Sequence, residues 1–439
     1  MSEIGVGIVG LGNVGSGTLR VLHENAASIA NKLGFPLKVR AICSRSIETA
    51  APKEAELHPD AFRTNDWREL VARPDVAIVA ELVGGTTVAR EIVEAAIAAG
   101  KSVVTANKEL IAESGAALWQ KAESADVRLA MEAAVAGGIP ILTALREGIA
   151  GDRVDALMGI LNGTSNFILT EIERRGDPFD GILKEAQDLG YAEADPSADV
   201  DGYDARSKLA ILAAIAFGAR VSPDQISVEG IRRIAPVDFT YAHRLGHTVR
   251  LVALARRDPD GLRMRVGPAL IRKDTILASV MGSYNAVWVR GEHGEDTFYY
   301  GRGAGPAPTG VAVVSDLIAV ANDLHSKASN RVSPFAHRAL AEYNPAPVGA
   351  EQRRYYLRFR VQDRPGIIAE LAAILARHNI SVDAVLQEPR FDKQDLPFVI
   401  TVESARRDAI DAAITEMNQL DFLVEEPLAL PLERGLAAR

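Results

Sequence analysis

At 439 residues, with 48% hydrophobic and 24% charged side chains, the chain is long enough for more than one domain and has an ordinary globular composition. A net charge of −9 argues against nucleic acid as a main partner, and the single cysteine, Cys43, excludes an intramolecular disulfide and a cysteine-based metal cluster. Met1-Ser2-Glu3 carries no basic n-region and no apolar h-region, and apolar runs such as residues 89–100 are interrupted by charge or too short to span a bilayer, so the expectation is a cytoplasmic enzyme with no membrane partner.

Ile4 to Val9 reads as a buried strand. Gly10-Leu11-Gly12-Asn13-Val14-Gly15 follows at once, and Val14 to Lys32 reads as a helix. Strand, glycines and helix in this order form the fingerprint of a dinucleotide site. Gly10 permits the tight turn, Gly12 lets a pyrophosphate approach the backbone, and Gly15 lets helix and strand pack closely. The helix start at Asn13 and Val14 then offers unpaired N–H groups to the phosphates. The second strand, Leu37 to Cys43, ends in Cys43-Ser44-Arg45-Ser46 with no acid to hold a ribose 2′-hydroxyl. Arg45 there suits a 2′-phosphate, which favours NADP over NAD.

More β–α units follow. Strands are expected at Asp75 to Val83, Lys101 to Thr105 and Val127 to Met131, with a helix from Thr86 to Ala99. In open α/β sheets ligands sit beyond the carboxyl ends of strands, which puts Lys108 and Glu132 in good positions. Val154 to Leu161 reads as a strand ending in Asn162-Gly163-Thr164-Ser165-Asn166, then a helix. Residues 190–208 come next and pack Glu193, Asp195, Asp199, Asp201 and Asp204 into a short loop. Lys208 then opens a long apolar run. Carboxylates facing an ammonium group, beside a lysine able to give or take a proton, suit a small amino acid as substrate. Further strands are expected at Arg263 to Gly267, Ala286 to Arg290 and Thr297 to Tyr300. A second glycine loop, residues 301–309 and including Gly305, opens a helix from Val311 to Ala321.

Residues 326–352, with Pro334, Pro345 and Pro347, read as a linker. Beyond it the expected order is strand Tyr355 to Val361, helix Ile367 to His378, strands Ile380 to Gln387 and Leu396 to Val402, helix Asp408 to Gln419, and a closing strand Phe422 to Glu425. This β-α-β-β-α-β order, with Asp363-Arg364-Pro365-Gly366 at the first loop, resembles the ACT domain, a ferredoxin-like amino-acid sensor.

The acidic segment resembles the one that marks homoserine dehydrogenases: Ala186, Gly190, Asp195-Pro196, Asp199, Gly202, Asp204 and Lys208 fall where that family's pattern wants them. The Asn107-Lys108 pair and the Asn-Gly-Thr-x-Asn turn match too. The resemblance covers essentially the whole chain. It implies an α/β protein with a Rossmann-type nucleotide domain (1–150 plus about 305–330), an α+β substrate and dimerisation domain (151–304), a linker (331–352) and an ACT domain (353–428). The implied reaction is reversible, NAD(P)-dependent interconversion of L-homoserine and L-aspartate 4-semialdehyde. Under this reading Lys208, Asp204 and Lys108 are the catalytic candidates. Glu193, Asp199 and Asp204 bind substrate, with Glu193 and Asp204 on its ammonium end and Asp199 supporting Lys208 or the loop. Gly10, Gly12, Asn13, Val14, Gly15, Arg45, Lys108, Gly190 and Gly305 are the cofactor candidates. Glu132, with the carbonyls matching Val135, Gly137 and Ile139, is implied to hold a monovalent cation, usually sodium. A homodimer or homotetramer with threonine as effector is also implied. A lysine transfers protons near neutral pH when burial or a nearby cation lowers its pKa, and Lys108 is the expected cation beside Lys208.

Three rival readings separate on residues. Aspartate-semialdehyde dehydrogenase needs a cysteine nucleophile in its catalytic half, and Cys43 lies in the second nucleotide-domain strand. A non-catalytic NADP-dependent amino-acid sensor would not need Lys208, Asp204 and Glu193 intact. An amino-acid-binding structural module would leave both glycine loops without purpose.

Overall fold

The computed structural model describes residues 3–49, 51–327, 332–388, 391–433 and 435–436. Met1 and Ser2, where the absence of a leader was read, and residues 328–331 of the expected linker lie outside them. Six parallel strands form the first sheet: β1 (Ile4–Val9), β2 (Leu37–Cys43), β3 (Phe62–Thr64), β4 (Ile78–Glu81), β5 (Ser102–Thr105) and β6 (Leu129–Ala130). Their order is β3-β2-β1-β4-β5-β6. Helices cover both faces, so β1, β4 and β5 are buried throughout and read as unbroken apolar runs. The order in which strands are added reverses between β1 and β4, which opens a crevice above their carboxyl ends. The expected helix from Val14 to Lys32 is two helices, Asn13–Glu24 and Ala26–Leu33, separated at Asn25 (φ −102°, ψ 11°).

The helix after the second glycine loop runs from Pro306 to Ser326, ten residues longer than expected. It packs in one apolar cluster with β1, β4 and the first helix. A Cβ on Gly17 would lie 2.0 Å from the Pro306 carbonyl oxygen, so this contact requires glycine. By length and composition this helix is apolar enough to cross a membrane, although Asp316 and Asp323 interrupt it. Val313, Leu317, Val320 and Ala321 are nevertheless fully buried inside the protein. The helix is apolar because it is a core helix, and of its two acids Asp316 is itself buried, accepting from Glu132 N–H at 2.8 Å.

The second sheet is built from β7 (Val154–Ile160), β8 (Ser227–Val228), β9 (His247–Asp258), β10 (Gly261–Arg272), β11 (Tyr284–Gly291), β12 (Asp296–Arg302), β13 (Gln352–Val361), β14 (Val382–Gln387), β15 (Leu396–Arg406) and β16 (Leu428–Glu433). Its order is β12-β11-β7-β9-β10-β16-β13-β15-β14, and β8 pairs with β10. The hairpin β9–β10 is its spine, paired from Gly261↔Asp258 to Arg272↔His247. The C-terminal unit has the expected order of strands and helices, but its closing strand is Leu428–Glu433. Residues 422–425 contribute only an isolated bridge between Leu423 and Val361.

That strand also corrects the picture of a tethered C-terminal unit. β16 pairs with β13 inside the unit and runs parallel to β10 of the middle domain through Leu270↔Leu432 and Ile271↔Glu433. One sheet therefore passes through both. The expected linker is tied down as well. His337 Nε2 lies 2.9 Å from the Ile215 carbonyl, Ala341 N–H donates to Gly218 O at 2.8 Å, and Leu262 N–H donates to Asn344 O at 2.9 Å. The prolines there end regular structure without freeing the segment.

Candidate active site

The crevice above β1 and β4 begins at the first glycine loop. Gly10 has φ +102°, and a Cβ there would meet the Leu82 carbonyl oxygen at 2.5 Å. Gly12 faces open space, since a Cβ on it would meet nothing within 4 Å. Gly15 lies so close to the Gly10 carbonyl that a Cβ would come within 2.0 Å. The helix Asn13–Glu24 has no side-chain cap, which leaves its first N–H groups for an anion. These features fit a dinucleotide pyrophosphate. Arg45 is exposed just after β2, whose end is tied to the loop by the Gly10 N–H donating to Cys43 O at 2.9 Å. Gly305, at φ +128°, starts the helix Pro306–Ser326. Glu81 at the end of β4 escaped sequence reading. It is fully buried and accepts from Val83 N–H (2.8 Å) and the Thr105 hydroxyl (2.6 Å), bracing the loops around the crevice. Burial pushes its carboxyl pKa up.

Asp204 is the centre of the site. It sits in the first turn of the helix Tyr203–Phe217, which starts at Gly202 with φ +87°. Lys208 is one turn on, so i,i+4 spacing puts both side chains on one face. Lys208 Nζ donates to Asp204 Oδ2 and to the Leu161 carbonyl, both at 2.8 Å. Lys108 opens the helix Lys108–Ser124 after β5, and its Nζ reaches Asp204 Oδ1 at 2.7 Å. Asn107 caps that helix through Leu110 N–H (3.0 Å) and holds Gly85 O at 2.6 Å. Asn162 completes the cluster. Its Nδ2 donates to Asp199 Oδ1 at 2.6 Å and Asp204 Oδ2 at 2.8 Å, while its Oδ1 caps the helix Gly163–Arg175 at Ser165 N–H, 2.7 Å away. The strand-end Asn-Gly was a signal for that cap and gave no hint of the second task.

Burial alone would raise the Asp204 carboxyl, but the charges and hydrogen bonds of Lys208 and Lys108 outweigh it and hold it well below the usual carboxylate range. Attraction to Asp204 raises the Lys108 pKa against the opposing effect of burial. Asp204 stands between the two lysines and pairs with both. Its Oδ2 accepts from Lys208 and Asn162 and its Oδ1 from Lys108, so of its about four acceptor positions one remains, on Oδ1. Asp199 supports the loop through Asn162 and, by its carbonyl, the Ser165 hydroxyl (2.8 Å). The charge of Lys208 acts on it, while the hydrogen bonds of Lys208 go to Leu161 and Asp204. Burial raises the Asp199 pKa. Glu193 is exposed and takes no part in the hydrogen bonds around Asp204; its carbonyl is held by Gln187 Nε2 at 3.0 Å. Gly190 turns the chain after the helix Phe179–Asp188 with φ +75° and is also exposed.

Glu132, after β6, accepts from Leu142 N–H (2.9 Å), Thr143 N–H (2.8 Å) and the Thr143 hydroxyl (2.6 Å). The Ile139 carbonyl accepts from Ile141 N–H at 2.7 Å, and the intervening loop places Ala136 at φ +50° between Val135 and Gly137. A carboxylate has about four acceptor positions, so one remains. A carboxylate and backbone carbonyls are all oxygen donors, the chemistry a hard cation takes.

A glycine loop at a topological switch point, opening toward a lysine–carboxylate cluster, is the working end of a nicotinamide-dependent oxidoreductase. Residues 10–132 match the family described as "Homoserine dehydrogenase, NAD binding domain", residues 140–318 the family "Homoserine dehydrogenase", and residues 355–422 the ACT domain. The chain is 41% identical over 438 residues to homoserine dehydrogenase of Neisseria gonorrhoeae, covering 98% of each, and 41% identical to that of Pseudomonas aeruginosa over 96% of each. A homoserine dehydrogenase structure from Thiobacillus denitrificans matches with a TM-score of 0.90 and 42% identity over 98% of both chains. A hyperthermophilic archaeal homoserine dehydrogenase in complex with NADPH matches with a TM-score of 0.62 and 26% identity, over 75% of this chain and 99% of that one. The chain belongs to the homoserine dehydrogenase family. Its activity is the NAD(P)-dependent interconversion of L-homoserine and L-aspartate 4-semialdehyde, and its C-terminal unit is an ACT domain.

Proposed function

We propose that this homoserine dehydrogenase works through Lys208 and Lys108 clamped on Asp204, and that it favours NADP(H). The carrying observation is the convergence of two lysines from different domains on one buried carboxylate, at 2.7 and 2.8 Å. The nicotinamide supplies or accepts the hydride when bound above the glycine loop. Lys208 has three N–H bonds and uses two on the Leu161 carbonyl and Asp204. The third is offered to the substrate oxygen. It delivers a proton as the aldehyde is reduced, and the deprotonated amine takes the hydroxyl proton as homoserine is oxidised. Lys108 adds positive charge where alkoxide character develops. Asp204 orients both lysines. Glu193, Asp199 and the remaining acceptor position of Asp204 are the acids for the substrate's ammonium group.

Arg45, flanked by Ser44 and Ser46 with no acid among residues 43–46, is the group for a 2′-phosphate. The NADPH complex of the archaeal relative supports the same preference. Gly190 and Gly305 complete the cofactor's surroundings. Glu132 with the carbonyls of Val135, Gly137 and Ile139 would hold a monovalent cation, sodium in the first instance. In the ACT domain, a cavity of about 450 Å³ lined by Asp363, Arg364, Ile367, Gln387, Leu396 and Phe398 suits a small amino acid, and threonine is the effector proposed. The enzyme is proposed to be a cytoplasmic homodimer or homotetramer.

Initial rates with homoserine and either NAD or NADP, with and without threonine, test the reading. We expect a higher kcat/KM with NADP and a rate that falls as threonine rises. Equal use of both cofactors would remove the role of Arg45, and a flat threonine response would remove the effector.

A further inference from the structure

The acidic loop is held from outside by a strap, residues 229–238, whose far side is bound to the ACT domain. Ile231 N–H donates to the Val200 carbonyl at 2.8 Å. A Cβ on Gly230 would meet that same oxygen at 2.8 Å, so the strap lies directly on the loop backbone. Arg232 forks onto Asp201, Nε to Oδ1 at 2.6 Å and Nη2 to Oδ2 at 3.0 Å. Asp201 is two residues from Asp199 and three from Asp204.

The next residue turns the other way. Arg233 donates to the Glu426 side chain (3.3 Å) and main-chain carbonyl and to the Pro427 carbonyl (3.2 Å), just before β16. Its own carbonyl accepts from Arg358 Nη2 of β13 at 3.1 Å. Arg358 is also ion-paired with Asp238, a fully buried residue at the strap's end that accepts from the Tyr356 hydroxyl at 2.8 Å. A buried charge that loses its partner is costly, so this end of the strap is fixed to β13.

We propose that Arg232 and Arg233 are positioning residues for the substrate. The pair transmits the position of the ACT domain to the acidic loop, and so sets where Asp199 meets homoserine. The cofactor loop is outside this connection. The inference rests on the homoserine dehydrogenase activity and is independent of which effector the ACT domain binds.

The test uses the full-length enzyme. Arg233→Ala is expected to raise the homoserine KM by about three- to ten-fold while the NADP KM stays within about twofold, since a small misplacement of a substrate-holding loop costs binding and orientation. Arg232→Ala should give the same split. Arg233→Lys, which keeps charge but not the fork, should fall between wild type and Arg233→Ala. The double alanine variant should be no worse than the worse single variant, because both cut one connection. Glu426→Gln, at an exposed position, gives a smaller rise of the same kind and serves if Arg233→Ala does not fold. An unchanged homoserine KM in these folded variants would overturn the inference. So would homoserine and NADP KM rising together, or additive effects in the double variant.

Discussion

Asp204 carries two lysines, and the consequences of removing either partner differ. Lys208→Ala is expected to lower kcat by at least about 10²-fold, the usual contribution of a positioned acid–base group, while NADP binding measured by fluorescence survives. Near-native turnover in that variant would exclude Lys208 as the proton carrier. Asp204→Ala should also lose activity, and it leaves two lysines without their shared anion. Breaking a buried pair costs about 3–5 kcal/mol, so its melting temperature should fall as well. Arg45→Asp is expected to weaken NADP by about 1.5–3 kcal/mol, the scale of a charged hydrogen bond, and NAD far less. Equal losses would show that Arg45 does not read the ribose. Cys43 is buried in β2, and burial raises its thiol pKa to about 11. At pH 8 the native protein should not react with a thiol reagent, whereas the unfolded chain should release one equivalent. Rapid labelling of the native state would contradict this burial.

Among elements, the helix Pro306–Ser326 shows most directly how packing overrides a local reading. Its composition alone satisfies a membrane criterion, and its burial against β1 and the helix Asn13–Glu24 explains why. The contact depends on Gly17. A Cβ there would overlap the Pro306 carbonyl, so Gly17→Ala must separate the two helices. The expected loss is about 1–3 kcal/mol, as for other overpacked cores, together with weaker cofactor binding. Denaturant unfolding and a cofactor titration measure the two effects. An unchanged midpoint would mean that the helices separate freely. β9 was not legible as a strand. Its central Arg250-Leu251-Val252-Ala253-Leu254-Ala255 has no polar alternation, because both faces are buried, and Arg250 itself is only 1% exposed. A strand buried on both faces loses the period of two by which strands are recognised.

At the scale of the whole molecule, the continuous sheet reverses the expectation drawn from the proline-bearing segment. If residues 326–352 were only a linker, a chain ending near Ala350 would fold and turn over without its ACT domain. It would lack β13 and β16, expose the edge of β10 from Leu270 to Ile271, and leave Asp238 buried without Arg358 and Tyr356. Unpaired strand edges and unpaired buried charges both favour aggregation or unfolding. We expect the truncated chain to be insoluble or inactive. A soluble truncated chain with native turnover, assayed by circular dichroism and initial rates, would restore the tethered picture. Threonine sensitivity is therefore better tested by point changes in the ACT cavity than by removing the domain.

The sequence alone determined what depends on contiguous residues. The glycine fingerprint lies within six positions of one turn, Asp204 and Lys208 are one helical turn apart, and the strand and helix order of the C-terminal unit follows from local periodicity. Their geometry needs little beyond the backbone that carries them. Tertiary structure decided what depends on distant segments meeting. Lys108 and Asp204 are 96 positions apart, and nothing local predicts that Asp204 stands between two lysines, or that Glu193 stays at the surface. The closing strand moved from residues 422–425 to Leu428–Glu433 for the same reason: β16 forms where β10 and β13 both offer unpaired edges. Backbone groups in a buried sheet must find partners, and which partners they find is settled by the assembled fold.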